Sequence, residues 1–149
     1  MYLILFDVKI FKYNAIQLLY NYMSTNIVSV PISIGELCDK YTILQIKAER
    51  IRDANKLIKI ENEIQHLKPL IEECKIEQVS LDNLKKVNES LWDIEDNIRN
   101  KELKSLFDKE FIELARAVYI TNDHRFELKS IINEVYKSDI CEVKSYAKY

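Results

Sequence analysis

From Ile34 onward the apolar residues of this chain recur at alternating intervals of three and four, the period that places them on one side of an α-helix. The first run is Ile34, Leu37, Tyr41, Leu44, Ala48 and Ile51. Ser33 and Glu36 at its head form the Ser-x-x-Glu pattern of a capping box, so the spacing predicts a helix over about 34–52. The register breaks around Asp53 to Asn55 and restarts with Leu57, Ile60, Ile64, Leu67 and Ile71, which reads as a helical hairpin. Pro69 lies inside this second pattern and predicts a kink or an end near Lys68, leaving a helix over about 56–68. Leu84, Val87, Leu91, Ile94 and Ile98 predict a third helix over about 81–101, with Ser80 as its N-cap. Phe107, Phe111, Leu114 and Val118 continue as Thr121, Arg125, Leu128, Ile132 and Val135, predicting a fourth over about 108–136, capped by Ser105 or Asp108. Asn26 to Val30 is short and β-branched, and Pro31 favours an extended residue before it. These elements make an all-α fold, a mainly antiparallel bundle of four principal helices with an accessory N-terminal segment.

That segment, Met1 to Met23, is strongly apolar but is interrupted by Asp7, Lys9 and Lys12, with no small-residue cleavage site after it. It fits neither a membrane span nor a signal peptide. Residues 1–25 are read as an extension packing on the bundle and residues 26–149 as one helical domain, with Met1 and Met23 both open as the natural start. A length of 149 residues is that of one domain, and 48% apolar with 31% charged residues of mixed sign describes a globular chain. The net charge of −2 offers no general attraction to nucleic acid or an anionic membrane, so any anion site has to be local. The lone glycine, Gly35, argues against hairpins, dinucleotide-binding turns and phosphate-cradling loops, which need several positions of positive φ or close backbone approach. Cys38, Cys74 and Cys141 are odd in number and in no CxxC pair, which suggests reduced thiols in a cytoplasm and neither a disulfide framework nor a zinc site.

Candidate chemistry lies on the third and fourth helices. Asn88, Trp92, Glu95, Arg99 and Glu102 share one stripe beside the apolar seam, an ordered row of amide, indole, carboxylate and guanidinium where a solvated face would carry Lys and Glu in no order. Thr121 and Arg125 occupy positions where the period expects core, and a guanidinium buried without partners costs several kcal/mol. Arg125 is therefore expected to meet a carboxylate such as Glu95 or Asp96, or a ligand. Around it the fourth helix carries Arg116, Tyr119, Asn122, Asp123 and Lys129, and the two polar flanks are expected to converge. A closed salt-bridge network and a ligand pocket both fit this pattern. A further polar stripe, Glu36, Lys40, Lys47 and Arg50, reads as a solvated face. His66 and His124 lack any paired-ligand spacing, and no metal or cofactor is expected.

The segments SIGELCDKYTILQIKAERI, VNESLWDIEDNIRNKE, FIELARAVYITNDHRFELKSIIN and CEVKSYAKY resemble the signature blocks of a family of short bacterial and viral proteins classed as a domain of unknown function. The resemblance spans Val30 to Tyr149. It implies recurrent polar positions at Glu36, Asp39, Lys40, Lys47, Asn88, Trp92, Glu95, Asp96, Arg99, Glu102, Arg116, Tyr119, Asn122, Asp123, Arg125, Lys129, Asn133, Glu142, Lys144 and Tyr146. Members of that family sit among genes for surface-glycan synthesis, which implies a sugar or sugar-phosphate ligand; the family carries no established activity.

The expected function is binding, and turnover where the site allows it, of a small anionic metabolite such as a sugar phosphate or nucleotide sugar. Arg99, Arg116, Arg125 and Lys129 would hold the anion, Glu95 and Asp123 orient them or serve as acid and base, Asn88 and Asn122 read hydroxyls, and Trp92 stack. Two other classes stay open. One is a non-enzymatic module whose seams and Tyr-rich tail dock a partner protein. The other is a Mg²⁺-dependent enzyme like the all-helical nucleotide pyrophosphohydrolases, for which Glu36 and Asp39 give one ExxD pair but no second is evident.

Overall fold

The computed structural model describes residues 27–145 of the chain. The expectations for residues 1–25, for the choice between Met1 and Met23, and for Tyr146 fall outside the described residues. Four helices follow one another, α1 (Ile34–Arg50), α2 (Ala54–Glu73), α3 (Gln78–Leu103) and α4 (Lys109–Val135). They belong to one compact unit that begins at Pro31. No strand occurs among the described residues, and β-branched Ile27, Val28 and Val30 carry no regular structure.

The central helix is α1, which packs against each of the other three, while α3 and α4 pack on each other and α2 lies on α1 alone. Directions alternate along the chain. Because α1 is surrounded, its buried residues spread beyond the single seam its spacing suggests: Leu37, Cys38 and Asp39 are consecutive and all buried, as are Thr42, Leu44 and Ile46. Leu37 and Cys38 join Ile71, Leu81, Leu84 and Ile132 in the main core. Each such aliphatic residue contributes about 1.5–3 kcal/mol on burial. Toward the α3–α4 turn apolar side chains stay exposed, Leu103 at 84% and Phe107 at 59%, so the fourth seam is less buried there than its period implies.

The helix ends show what local sequence can and cannot specify. Ser33 accepts from the Glu36 amide at 3.1 Å, but the capping box is only half made, because the Glu36 carboxylate bonds Lys129 instead of reaching back. Asp108, not Ser105, caps α4 by accepting from Phe111 N. Asp53 does the same for α2. Against expectation, α2 runs through Pro69 to Glu73. The lost backbone bond is offset by burial of Ile71, two residues on. Nor does Ser80 cap α3, which starts at Gln78 without a side-chain cap, the Glu77 amide donating to the Tyr136 hydroxyl at 2.8 Å.

Three helices end in the same way. Lys75, Ser105 and Lys137 adopt positive φ of 53°, 52° and 54° just past α2, α3 and α4. The amides of Ile76, Leu106 and Ser138 then reach back to the carbonyls of Ile71, Lys101 and Asn133, closing Schellman motifs. Scarcity of glycine therefore does not mean scarcity of left-handed residues here. The lone glycine has another task. A Cβ at Gly35 would lie 2.5 Å from the Lys129 carbonyl oxygen and 3.0 Å from Asn133 Oδ1, so α1 crosses α4 at a distance only glycine permits. The Gly35 amide donates to that same Asn133 oxygen at 2.6 Å.

Two substitutions test this account with opposite signs. Gly35→Ala forces α1 away from backbone rather than from a movable side chain, and we expect a loss of about 2–3 kcal/mol by urea denaturation. Ser105→Gly relieves an exposed left-handed residue and should raise stability by about 0.5–1 kcal/mol.

Candidate functional site

On the side of α1 that faces α3 and α4, Ile43 and Lys47 stand one turn apart, and opposite them α3 presents Asn88, Leu91, Trp92, Glu95, Asp96 and Arg99. Arg125 of α4 completes the wall of a cleft of about 340 Å³. Six residues of the sequence-defined constellation thus meet in one concavity: Asn88, Trp92, Glu95, Asp96, Arg99 and Arg125. Lys47, read from the sequence as part of a solvated face, lies among them. Its signal was its i+4 spacing from Ile43, an apolar residue off the main α1 seam.

The charges of the cleft are unevenly matched. Arg99 pairs with Glu95 at 2.6 Å across one helical turn, but both are largely exposed, at 65% and 47%, so the pair adds little stability. Arg50 pairs with Asp93 and holds its guanidinium 5.7 Å from the Trp92 ring centroid. Trp92 therefore already has a cation on its ring while it lines the cleft. Lys47 and Arg125 are half-buried, and among the described residues neither has a carboxylate within ion-pair distance. The expected partner of Arg125 is thus missing. Glu95 is engaged by Arg99, and the carboxyl that feels Arg125 is Glu142, held low mainly by its hydrogen bond from Lys129 with Arg125 as a lesser cause. The physical reason is that the fourth seam at this level borders a cleft, so desolvation of Arg125 is only partial.

Beneath the cleft α1 contributes a buried polar cluster. Asn88 Nδ2 donates to Asp39 Oδ1 at 2.8 Å and to Thr42 Oγ1 at 3.1 Å. The Thr42 hydroxyl lies 3.0 Å from the carbonyls of both Cys38 and Asp39, to which it donates. Asn88 Oδ1 is buried and has no hydrogen-bond partner among the described residues. Burial, reinforced by Cys74 and Asp39, pushes the neighbouring Cys38 thiol up to about 12, which keeps it an inert core group.

Other residues of the constellation lie elsewhere. Lys129 is buried at the Gly35 crossing, bonded to Glu36 at 2.6 Å and Glu142 at 2.8 Å. Burial alone would lower its ammonium, yet those two hydrogen bonds hold it above the usual lysine value. The segment after α4 runs back along that helix. Ser138 Oγ accepts from Ile34 N, Glu142 meets Lys129, and Lys144 reaches Asp123 at 3.7 Å, the Asn122 carbonyl and the face of Phe126. Asn122 and Asp123 thus hold the tail, while Arg116 and Tyr119 are exposed on α4 away from the cleft. Glu36 and Asp39 each bond a protein partner, and among the described residues no group of three or more His, Cys, Asp or Glu could hold a metal ion. No helix among the described residues is long and apolar enough to cross a membrane.

The chain belongs to the Family of unknown function (DUF6165), whose model matches residues 28–149. No curated protein and no solved structure matches it.

The Lys129 cluster gives a pH signature. Glu142 has a folded pKa below its ordinary value, so its contribution is present above the usual carboxylate range and is lost as pH falls through the lowered value. Lys129 has a raised pKa, so its share is lost only as pH climbs past the usual lysine value. The melting-temperature difference between the wild type and Glu142→Gln should stay level through neutral pH and close in acid below the usual carboxylate range. Lys129→Met should cost about 1–2 kcal/mol, less than for a fully buried pair, because Glu36 and Glu142 can rehydrate.

Proposed function

We propose that the cleft between α1, α3 and α4 binds a small anionic metabolite of the sugar-phosphate or nucleotide-sugar class. The observation that supports this most directly is the pair of half-buried cations, Lys47 and Arg125, on facing helices with no carboxylate at ion-pair distance among the described residues. Two like charges beside one concavity repel each other and are partly desolvated, and an anion between them relieves both effects. Ile43, Leu91 and Trp92 supply an apolar wall of the kind that accepts the C–H face of a sugar ring. The resemblance to proteins encoded among surface-glycan genes agrees with a sugar component.

Binding, not turnover, is the reading favoured. Glu95, the carboxylate expected to act as acid or base, is exposed and engaged by Arg99, and Asp123 is engaged by Lys144 outside the cleft. A second reading, docking of a partner protein, draws on the exposed apolar residues at the α3–α4 turn, Leu103, Leu106, Phe107 and Ile112.

Arg125→Met separates these readings from a structural role. Since Arg125 leaves no carboxylate behind, the variant should melt at or above the wild-type temperature while affinity for a sugar phosphate drops about tenfold or more. Trp92 is the only tryptophan in the chain, so its fluorescence reports occupancy directly. A loss of stability with no change in affinity would assign Arg125 to the fold instead.

A further inference from the structure

Asn88 is the only polar residue lining the cleft that is fully buried, at 4% exposure. Its amide has a fixed orientation. Asp39 offers a carboxylate, which can only accept, and the Thr42 hydroxyl directs its one proton to a main-chain carbonyl and so can only accept from Asn88. The group that faces them must be the NH₂, and the carbonyl oxygen must turn away from α1. That oxygen is Oδ1, buried without a donor. A buried acceptor left unmade is the kind of group native proteins rarely keep without a use.

Resting on the binding reading above, we infer that the ligand is a monosaccharide phosphate one of whose hydroxyls donates to Asn88 Oδ1, with Asp39 the positioning residue that makes this oxygen an obligate acceptor. Phosphate sits between Lys47 and Arg125, the ring lies against Ile43, Leu91 and Trp92, and the hydroxyl points to the buried end. The oxygen lies beneath the cleft surface, so a lining side chain has to shift for the hydroxyl to reach it. A volume of about 340 Å³ is at the low end for small-molecule sites and suits one sugar ring better than a nucleotide sugar. The polarity matters for selectivity: a site that offers only an acceptor discriminates against a ring lacking the hydroxyl, because the oxygen then stays unpaired.

The test is a Trp92 fluorescence titration of the full chain with three probes: glucose 1-phosphate, cyclohexyl phosphate, which keeps the ring and the phosphate but no hydroxyls, and inorganic phosphate. Glucose 1-phosphate should bind about tenfold or more tighter than either of the others. Asp39→Asn can offer Asn88 either an acceptor or a donor and so frees its amide to turn; the preference for glucose 1-phosphate over cyclohexyl phosphate should shrink at least several-fold. A purely structural Asp39 would weaken both probes alike. Asn88→Ala should erase the preference, and if neither variant folds the wild-type ratio alone decides. Equal binding of glucose 1-phosphate and cyclohexyl phosphate overturns this inference while the anion cleft stands. Binding of none of the three overturns the cleft reading as well.

Discussion

The close crossing of α1 and α4 at Gly35 sets the geometry of everything else. Only a residue without Cβ lets the α1 backbone come so near the Lys129 carbonyl. At that vertex the two helices are tied three ways, by the Gly35 amide on Asn133, the Ile34 amide on Ser138, and the Glu36 carboxylate on Lys129. Helices that touch at one point and cross at an angle must separate away from it. Two to three turns along α1, at Ile43 and Lys47, the cleft lies between α1 and Arg125. The cleft is thus a consequence of where the glycine lies, near the start of α1 and not at its middle.

Two buried polar clusters flank this wedge and behave differently. Around Lys129 the ammonium meets two carboxylates that remain half in solvent, so the charge is matched and desolvation of the acids is slight. Nothing in that cluster asks for a ligand, and its two acids make it a poor place for an anion. The Asp39, Thr42 and Asn88 cluster is satisfied on the α1 side, while Asn88 Oδ1 on the other is buried without a donor among the described residues. Polar networks in a core are stable when complete, and an incomplete one marks either a trapped water or a site. Its position against the cleft is the ground on which the proposed site rests.

How much of this was legible in the sequence depends on the range of the interaction. The apolar period alone located all four helices, and Ser33 and Asp108 were readable as caps because a cap binds its own first turn. Pro69 and Ser80 misled because local preference lost to contacts distant in sequence, the packing of Ile71 into the core with Leu37 and Ile132 and the bond of the Glu77 amide to the Tyr136 hydroxyl. Arg125 was correctly placed on a seam, but the period cannot tell a seam that faces core from one that faces a cleft, so the expected carboxylate is not there. Lys129 and Asn88 were both read as binding groups and part company in the fold. The lysine closes the crossing, whereas the asparagine lines the cleft from the interior, deeper than its place beside the apolar seam implied. Gly35 carried the most structural information of any residue, yet composition could present it only as a scarcity of turns.

The arrangement also explains how a chain with net charge −2 can offer an anion a favourable place. Several of its cations are matched by neighbouring acids: Arg50 by Asp93, Lys85 by Glu49, Lys101 by Asp108 and Glu110, Lys129 by Glu36 and Glu142. Such pairs cancel at a distance and leave no long-range field. What remains at the cleft is one positive charge in excess, Lys47, Arg99 and Arg125 against Glu95 and Asp96, beside an apolar wall that lowers the local dielectric and so would strengthen the pull of Lys47 and Arg125 on an anion placed between them. Discrimination would then come from contact geometry and not from steering. A weak overall field would admit many small solutes, and in the proposed site the buried acceptor of Asn88 would decide which of them stays.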